Sequence, residues 1–109
     1  MTRFILDIEG INKTQANKLV DSFNSIEKIN ASIIENKIKF KELSTQIAIT
    51  LATGVVSSMI AYIILKFFEK EKSIDNEPII IECQNIKITQ GEPQEIIENK
   101  IKIIIGNKK

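Results

Sequence analysis

The chain begins with a stretch in which apolar and polar residues alternate. Phe4, Leu6 and Ile8 fall on one side of an extended chain, and most of the intervening positions are charged. This period of two predicts a half-buried β-strand. From about residue 12 to residue 27, apolar residues recur instead at spacings of three and four, which predicts an amphipathic helix. The residues of its apolar face are Ala16, Leu19, Val20 and Phe23.

The C-terminal third contains both kinds of pattern. Residues 79–83 and 86–89 are short apolar-rich runs separated by a Gln-Asn pair, which predicts a β-hairpin. Beyond the hairpin, Pro93 suits the first position of a helix. Isoleucines then recur at helical spacing as far as a C-terminal cap at Gly106.

The heptapeptide IIENKIK occurs twice, at residues 33–39 and 96–102. The first copy leads into alternating isoleucine, phenylalanine and lysine residues and predicts a strand. The second copy lies in the predicted C-terminal helix. Since the flanking sequences predict different secondary structures in the same register, we interpret the repeat as a coincidence of composition and not as a duplicated unit.

The longest pattern in the chain is an uncharged run, LSTQIAITLATGVVSSMIAYIIL, of 23 residues at positions 43–65. Apolar runs of at least about 18 residues are candidates for transmembrane helices. The run therefore predicts one long hydrophobic helix at residues 44–68, with a possible membrane span at about 46–65. The first ten residues lack the apolar region of a signal peptide, so any insertion would use this internal segment.

On a helical wheel, the small and the bulky residues of this run separate onto two faces. The small residues predict a ridge for close helix packing, because Thr50, Gly54 and Ser58 recur every four positions. The predicted interaction residues are Thr50, Gly54, Ser57, Ser58 and Ala61 on the ridge, and Val55, Met59 and Ile63 on the bulky face.

The sequence allows two environments for this helix, a lipid bilayer or the interior of a protein. A membrane span would leave about 45 residues on one side and about 40 on the other, and fragments that small seldom form independent cores. Joined, the fragments supply about four strands in one small sheet, two amphipathic helices and the long central helix. The predicted fold is therefore a single α+β domain, residues 1–109, in the order β-α-β-α-β-β-α. However, such a helix has no charged outer face, so a second protomer, a partner protein or lipid would have to cover it.

Composition and charge exclude several classes of function. The net charge is +1 with interleaved signs, which gives no electrostatic basis for binding nucleic acid. The chain has no histidine, the commonest general base and metal ligand, and one cysteine, which suits a reducing compartment. We predict no catalytic site, metal, cofactor or small-molecule substrate.

Three side chains are potential nucleophiles, and the sequence predicts a structural role for each of them. Ser57 and Ser58 lie two helical turns or more from Lys66 and have no histidine or carboxylate partner, so their hydroxyls are expected to bond to helix carbonyls. Cys83 alternates with isoleucines on a predicted strand and is expected to be a buried core thiol.

The predicted central hydrophobic helix contains a glycine, Gly54, and is followed by lysines, and the last helix is led by a proline after a turn. These lysines are Lys66, Lys70 and Lys72, and the turn and helix carry Gly91, Pro93 and Glu95. In these features and in the order of its elements, the chain resembles the effector-associated constant component family of bacterial conflict systems. The resemblance implies an accessory protein without enzymatic activity that works beside a separately encoded effector and sensor in defence.

The sequence thus predicts an adaptor that self-associates, or docks on an effector protein, through the 44–68 helix. Self-association would raise the effective concentration of bound effectors. The expected location is the cytoplasm, with the membrane as a further possible site of action. The alternative is an integral single-pass membrane anchor or signalling protein.

Overall fold

The protein contains a β-sheet whose central strand is β1 (Thr2–Glu9). The structure is a computed structural model that describes residues 2–39 and 42–106. For residues 35–39, 42 and 43 it describes the backbone only. Within these ranges, four more strands join β1: β2 (Ile29–Lys39), β3 (Glu42–Leu51), β4 (Ile80–Cys83) and β5 (Ile86–Thr89). The strand order is β2-β3-β1-β4-β5, and every neighbouring pair is antiparallel.

The register of β1 and β3 places the apolar residues of both strands on one face. Phe4 lies opposite Ile49 and Leu6 lies opposite Ile47, and all four side chains are buried. The described residues form three helices, α1 (Lys13–Asn24), α2 (Ser57–Lys70) and α3 (Gln94–Gly106), whose buried side chains join those of the sheet in one hydrophobic cluster. Helix α2 packs against both α1 and α3.

A capping box begins α1. The Asn12 side chain accepts a hydrogen bond of 2.9 Å from the Gln15 backbone N–H, and the Gln15 side chain accepts one of 2.9 Å from the Asn12 N–H. The Gln15 side-chain amide also donates to the Lys72 carbonyl at 2.7 Å. This contact joins the start of α1 to the segment that follows α2.

The prediction of one long helix at 44–68 is wrong. The first half of the uncharged run is strand β3, residues 52–56 form a turn, and only the second half is helical, in α2. The physical reason is strand pairing, because β3 lies between β1 and β2 and bonds to both. Ser44 and Ala48 are also buried on the face opposite Ile47, so from Ser44 onwards the strand is largely buried on both faces, which suits its lack of charged residues there.

The predicted membrane span at 46–65 does not exist as a helix, since it starts in β3 and ends within α2. In the part of the chain that the structure describes, no helix is both long enough and apolar enough to cross a bilayer.

The predicted α+β class is confirmed, but the details of the order are not. The described residues form five strands and not about four, in the order β-α-β-β-α-β-β-α, because the uncharged run supplies a strand before its helix. The predicted hairpin is present as β4 and β5, and its turn residues Gln84 and Asn85 have φ values of 54° and 67°. Positive φ at both positions is the conformation of a type I′ turn, one of the two turns that commonly close two-residue hairpins.

The two copies of IIENKIK adopt different structures, as their flanking sequences predicted. Residues 33–39 belong to β2, where the register with β3 shifts between Ile33 and Glu35, and residues 96–102 belong to α3. The repeat is therefore not a repeated structural unit.

Replacing Gly54 by alanine distinguishes the turn from a continuous helix by the sign of the effect. Gly54 has a φ of 101°, a backbone conformation that residues other than glycine rarely adopt. We expect Gly54→Ala to lower the free energy of unfolding by roughly 1 to 3 kcal/mol, measured by denaturant unfolding followed by circular dichroism. In a continuous helix the same change would stabilise the protein by about 1 kcal/mol.

Gly106→Ala is the matched control, because Gly106 lies at the end of α3, has no positive φ, and has open space where a Cβ would lie. Its free energy of unfolding should stay the same or rise by up to about 1 kcal/mol. A Gly54→Ala protein as stable as the unmodified one would contradict the turn.

Candidate functional site

The eight predicted interaction residues are distributed over a strand, a turn and a helix. Thr50 lies in β3, half-buried on the face opposite Ile49. Gly54 and Val55 lie in the turn, and the others belong to α2. The helical members are Ser57, Ser58, Met59, Ala61 and Ile63. The predicted small-residue ridge is therefore wrong, because Thr50, Gly54 and Ser58 do not share a helix.

Two of these residues are also buried or nearly so. Ala61 is fully buried, and Ile63 retains only 8% of its accessible surface. Both belong to the hydrophobic cluster that α2 shares with the sheet and the other helices. Ser58 and Met59 remain accessible and line a cavity at the start of α2.

Helix α2 has one buried face and one accessible face. The buried face carries Ile60, Ala61, Ile63, Ile64, Phe67 and Phe68. The accessible face follows the i, i+4 spacing of a helix and carries Ser58, Tyr62, Lys66 and Lys70. Tyr62 stands at its centre with 53% of its surface exposed.

Two adjoining cavities, of about 310 and about 410 Å³, lie beside this face, where α2 meets the end of α1 and the turn after it. Their apolar floor consists of Ile26, Met59, Tyr62 and Ile63. Their polar rim consists of Ser22, Ser25, Ser58 and Gln94, and Lys66 and Lys70 line one end. We call this surface, made of the floor, the rim and the two lysines, the α1–α2 groove.

The Lys66 ammonium lies over the Tyr62 ring, 5.4 Å from its centroid, which is within the range of a cation–π interaction. The same ammonium is 3.5 Å from a carboxylate oxygen of Glu69. Among the described residues, no carboxylate lies within ion-pair distance of Lys70. The lysine end of the groove therefore holds one cation with a weak partner and one with none in this part of the chain.

A third cavity, of about 310 Å³, continues from the lysine end between α1 and α2. It is lined by both signs of charge, since Lys18 and Asp21 face it together with Lys66, Lys70 and Glu71. Lys18 and Glu71 are 3.5 Å apart and form an ion pair. The charges of this cavity largely compensate one another.

Outside the groove, the described residues hold no cluster of three acidic, cysteine or histidine side chains that could bind a metal ion. Cys83 is buried in the core, as its alternation with isoleucines predicted. Ser57 and Ser58 begin α2, and Lys66 is engaged with Tyr62 and Glu69.

Of the groove residues, sequence reasoning named Ser58, Met59 and Ile63 and missed the others, which are Ser22, Ser25, Ile26, Tyr62, Lys66, Lys70 and Gln94. Tyr62 was hidden inside the uncharged run, although it is the only tyrosine of the chain. The recurrence of residues 58, 62, 66 and 70 at every fourth position was a signal for one accessible helix face. Ile26 and Gln94 gave no such signal, because tertiary packing alone brings them to α2.

The side chain of Gln90 fixes the end of α2 relative to the hairpin. Its amide nitrogen donates to the Phe68 and Glu71 carbonyls at 2.7 and 2.8 Å. Its amide oxygen accepts a hydrogen bond of 3.2 Å from the Ile79 N–H. One side chain thus satisfies two carbonyls at the helix terminus and positions the part of α2 that carries Lys66 and Lys70.

Comparisons with protein-family models, with curated proteins and with solved structures found no match to this chain. The resemblance to the effector-associated constant component family stays a prediction.

Replacing Gln90 by alanine should destabilise the protein. The change leaves the Phe68 and Glu71 carbonyls at the end of α2 and the Ile79 N–H just before β4 without this partner, so we expect the free energy of unfolding to fall by about 1 to 3 kcal/mol. Gln94→Ala is the control, since the Gln94 side chain is exposed, and it should change the value by less than about 0.5 kcal/mol. Equal effects of the two changes in denaturant unfolding would refute the role of Gln90.

Proposed function

We propose that this protein is a non-enzymatic interaction module that binds a segment of a partner protein in the α1–α2 groove. The single observation that carries the proposal is the exposed Tyr62 at the centre of an apolar floor between two cavities. Tyrosine combines a large apolar ring with a polar tip and is enriched at protein interfaces.

The groove has the anatomy of a small interface. Its centre is apolar, and serines, a glutamine and two lysines surround it. Interfaces commonly combine an apolar centre with a polar, hydrated rim. An aromatic anchor in such a centre is the usual source of most of the binding energy.

The hydrophobic core does not depend on the exposed Tyr62 side chain. The buried face of α2 contributes Ile60, Ile64 and Phe67 to the core, whereas Tyr62 lies outside the cluster of buried residues. An exposed aromatic side chain that the core does not use is available for binding. Its replacement is therefore expected to affect binding much more than stability.

The proposal keeps the predicted class of function, an adaptor, but changes the surface that performs it. Self-association and the membrane anchor were both inferred from a long helix apolar on all sides, and the described residues contain no such helix. The family resemblance used the same helix. We therefore propose binding to a separate protein, and the association with an effector in bacterial defence rests on that resemblance alone.

The test uses synthetic amphipathic helical peptides of about 18 residues, or five turns. Each carries a leucine stripe at i, i+3, i+4 and i+7 spacing and lacks tyrosine and tryptophan. The remaining positions contain alanine with glutamate, glutamine or lysine. Since Tyr62 is the only tyrosine and the chain has no tryptophan, intrinsic tyrosine fluorescence reports directly on the groove.

We expect at least one peptide to bind, and Tyr62→Ser to weaken its binding tenfold or more, about 1.4 kcal/mol, by fluorescence anisotropy of labelled peptide. Ile103→Ser on α3 is the matched control, because Ile103 is 52% exposed but lies outside the groove. The proposal fails if no peptide binds, or if the two variants weaken binding equally.

A further inference from the structure

We infer that the partner segment is an acidic amphipathic helix, with its apolar stripe on the floor of the α1–α2 groove and its carboxylates at Lys66 and Lys70. This inference rests on the proposed function and specifies the chemistry of the partner. Its basis is the distribution of charge along the groove.

The two cavities of the groove are lined by two lysines, and none of the described lining residues is acidic. Lys66 pairs only with Glu69 on its own helix, at 3.5 Å, where both side chains are about half exposed. Such exposed pairs contribute little and exchange readily for another carboxylate. Lys70 has no ion-pair partner among the described residues.

The charges of the third cavity, which lies beyond the lysines, limit the contact with acidic groups of the partner to Lys66 and Lys70. Lys18 is paired with Glu71, and Asp21 lies on the same wall. A long polyanion would meet these carboxylates, whereas one or two carboxylates of a short segment would not. The geometry therefore favours a few acidic residues next to an apolar stripe.

The dimensions of the groove suit a helix of about three turns. Residues 58–70 of α2 extend over about 18 Å at 1.5 Å per residue. A helix lying along α2 would place residues at i, i+3, i+4 and i+7 over the apolar floor, which is the usual mode of recognition of a helix in a groove. The acidic residues of the bound helix would lie one turn beyond this apolar stripe, beside Lys66 and Lys70.

An anionic membrane offers similar chemistry but fits this shape less well. Apart from the exposed Tyr62, the apolar floor is recessed, since Ile63 is nearly buried and Ile26 is half-buried. A bilayer surface is broad and cannot enter a concave groove between two helices, whereas a single helix can. We therefore assign the groove to a protein segment.

The experiment compares the three peptides described above, which differ only in glutamate, glutamine or lysine. We expect the glutamate peptide to bind at least fivefold more tightly than the glutamine peptide, and the lysine peptide to bind most weakly. Lys70→Glu should reverse the order of the glutamate and lysine peptides. Lys102→Glu makes the same change in net charge on α3, outside the groove, and should preserve the order.

Raising the salt concentration should weaken binding of the glutamate peptide more than binding of the glutamine peptide, because salt screens exposed charges. Equal binding of all three peptides that still requires Tyr62 overturns the acidic partner and leaves the proposed function intact. Binding of none of them contradicts the proposed function itself. Tyr62-dependent binding to vesicles of anionic phospholipid that exceeds binding to the glutamate peptide also overturns the assignment to a protein segment.

Discussion

The pairing of β3 with β1 and β2 is the interaction on which the rest of this structure depends. It places Ile47 and Ile49 in the core and leaves Ser44 and Ala48 buried on the opposite face. A strand bonded on both sides satisfies its backbone polar groups within the sheet. The same pairing fixes where the helix after it begins, because the strand ends at Leu51 and the turn at Gly54 redirects the chain.

Ending the strand there gives α2 only 14 residues and two unlike faces. One face packs on the sheet and between α1 and α3, so it needs no partner outside the chain. The other face lies beside the end of α1, and the seam between the two helices is the α1–α2 groove. The apolar surface available for binding is therefore a local feature around Tyr62 and not a whole helix, which changes the expected partner from a membrane or a large oligomer to a short segment.

The spacing of apolar residues correctly predicted the elements in which a single hydrophobic period, that of a strand or that of a helix, dominates. The β4–β5 hairpin follows from two short apolar runs around Gln84 and Asn85, and α3 follows from isoleucines at helical spacing. The uncharged run was different, because a long series of apolar and small uncharged residues fits both a strand and a helix, and length alone favoured a helix. Gly54 and the alternation from Gln46 to Leu51 were the local signals of a strand and a turn. The two copies of IIENKIK show the same limit, since one sequence forms a strand in β2 and a helix in α3.

The groove was less predictable than the fold, for a physical reason. Its members come from the end of α1, from α2 and from the start of α3, and only packing determines that Ile26 and Gln94 meet Met59 and Tyr62. Residues that form a core leave a strong periodic pattern, because burial constrains every turn of a helix. A binding surface is made from the positions that burial does not constrain, and these carry little periodicity of their own. The same freedom allows Tyr62, Lys66 and Lys70 to change without loss of the core, so the fold alone does not determine which partner the proposed groove would bind.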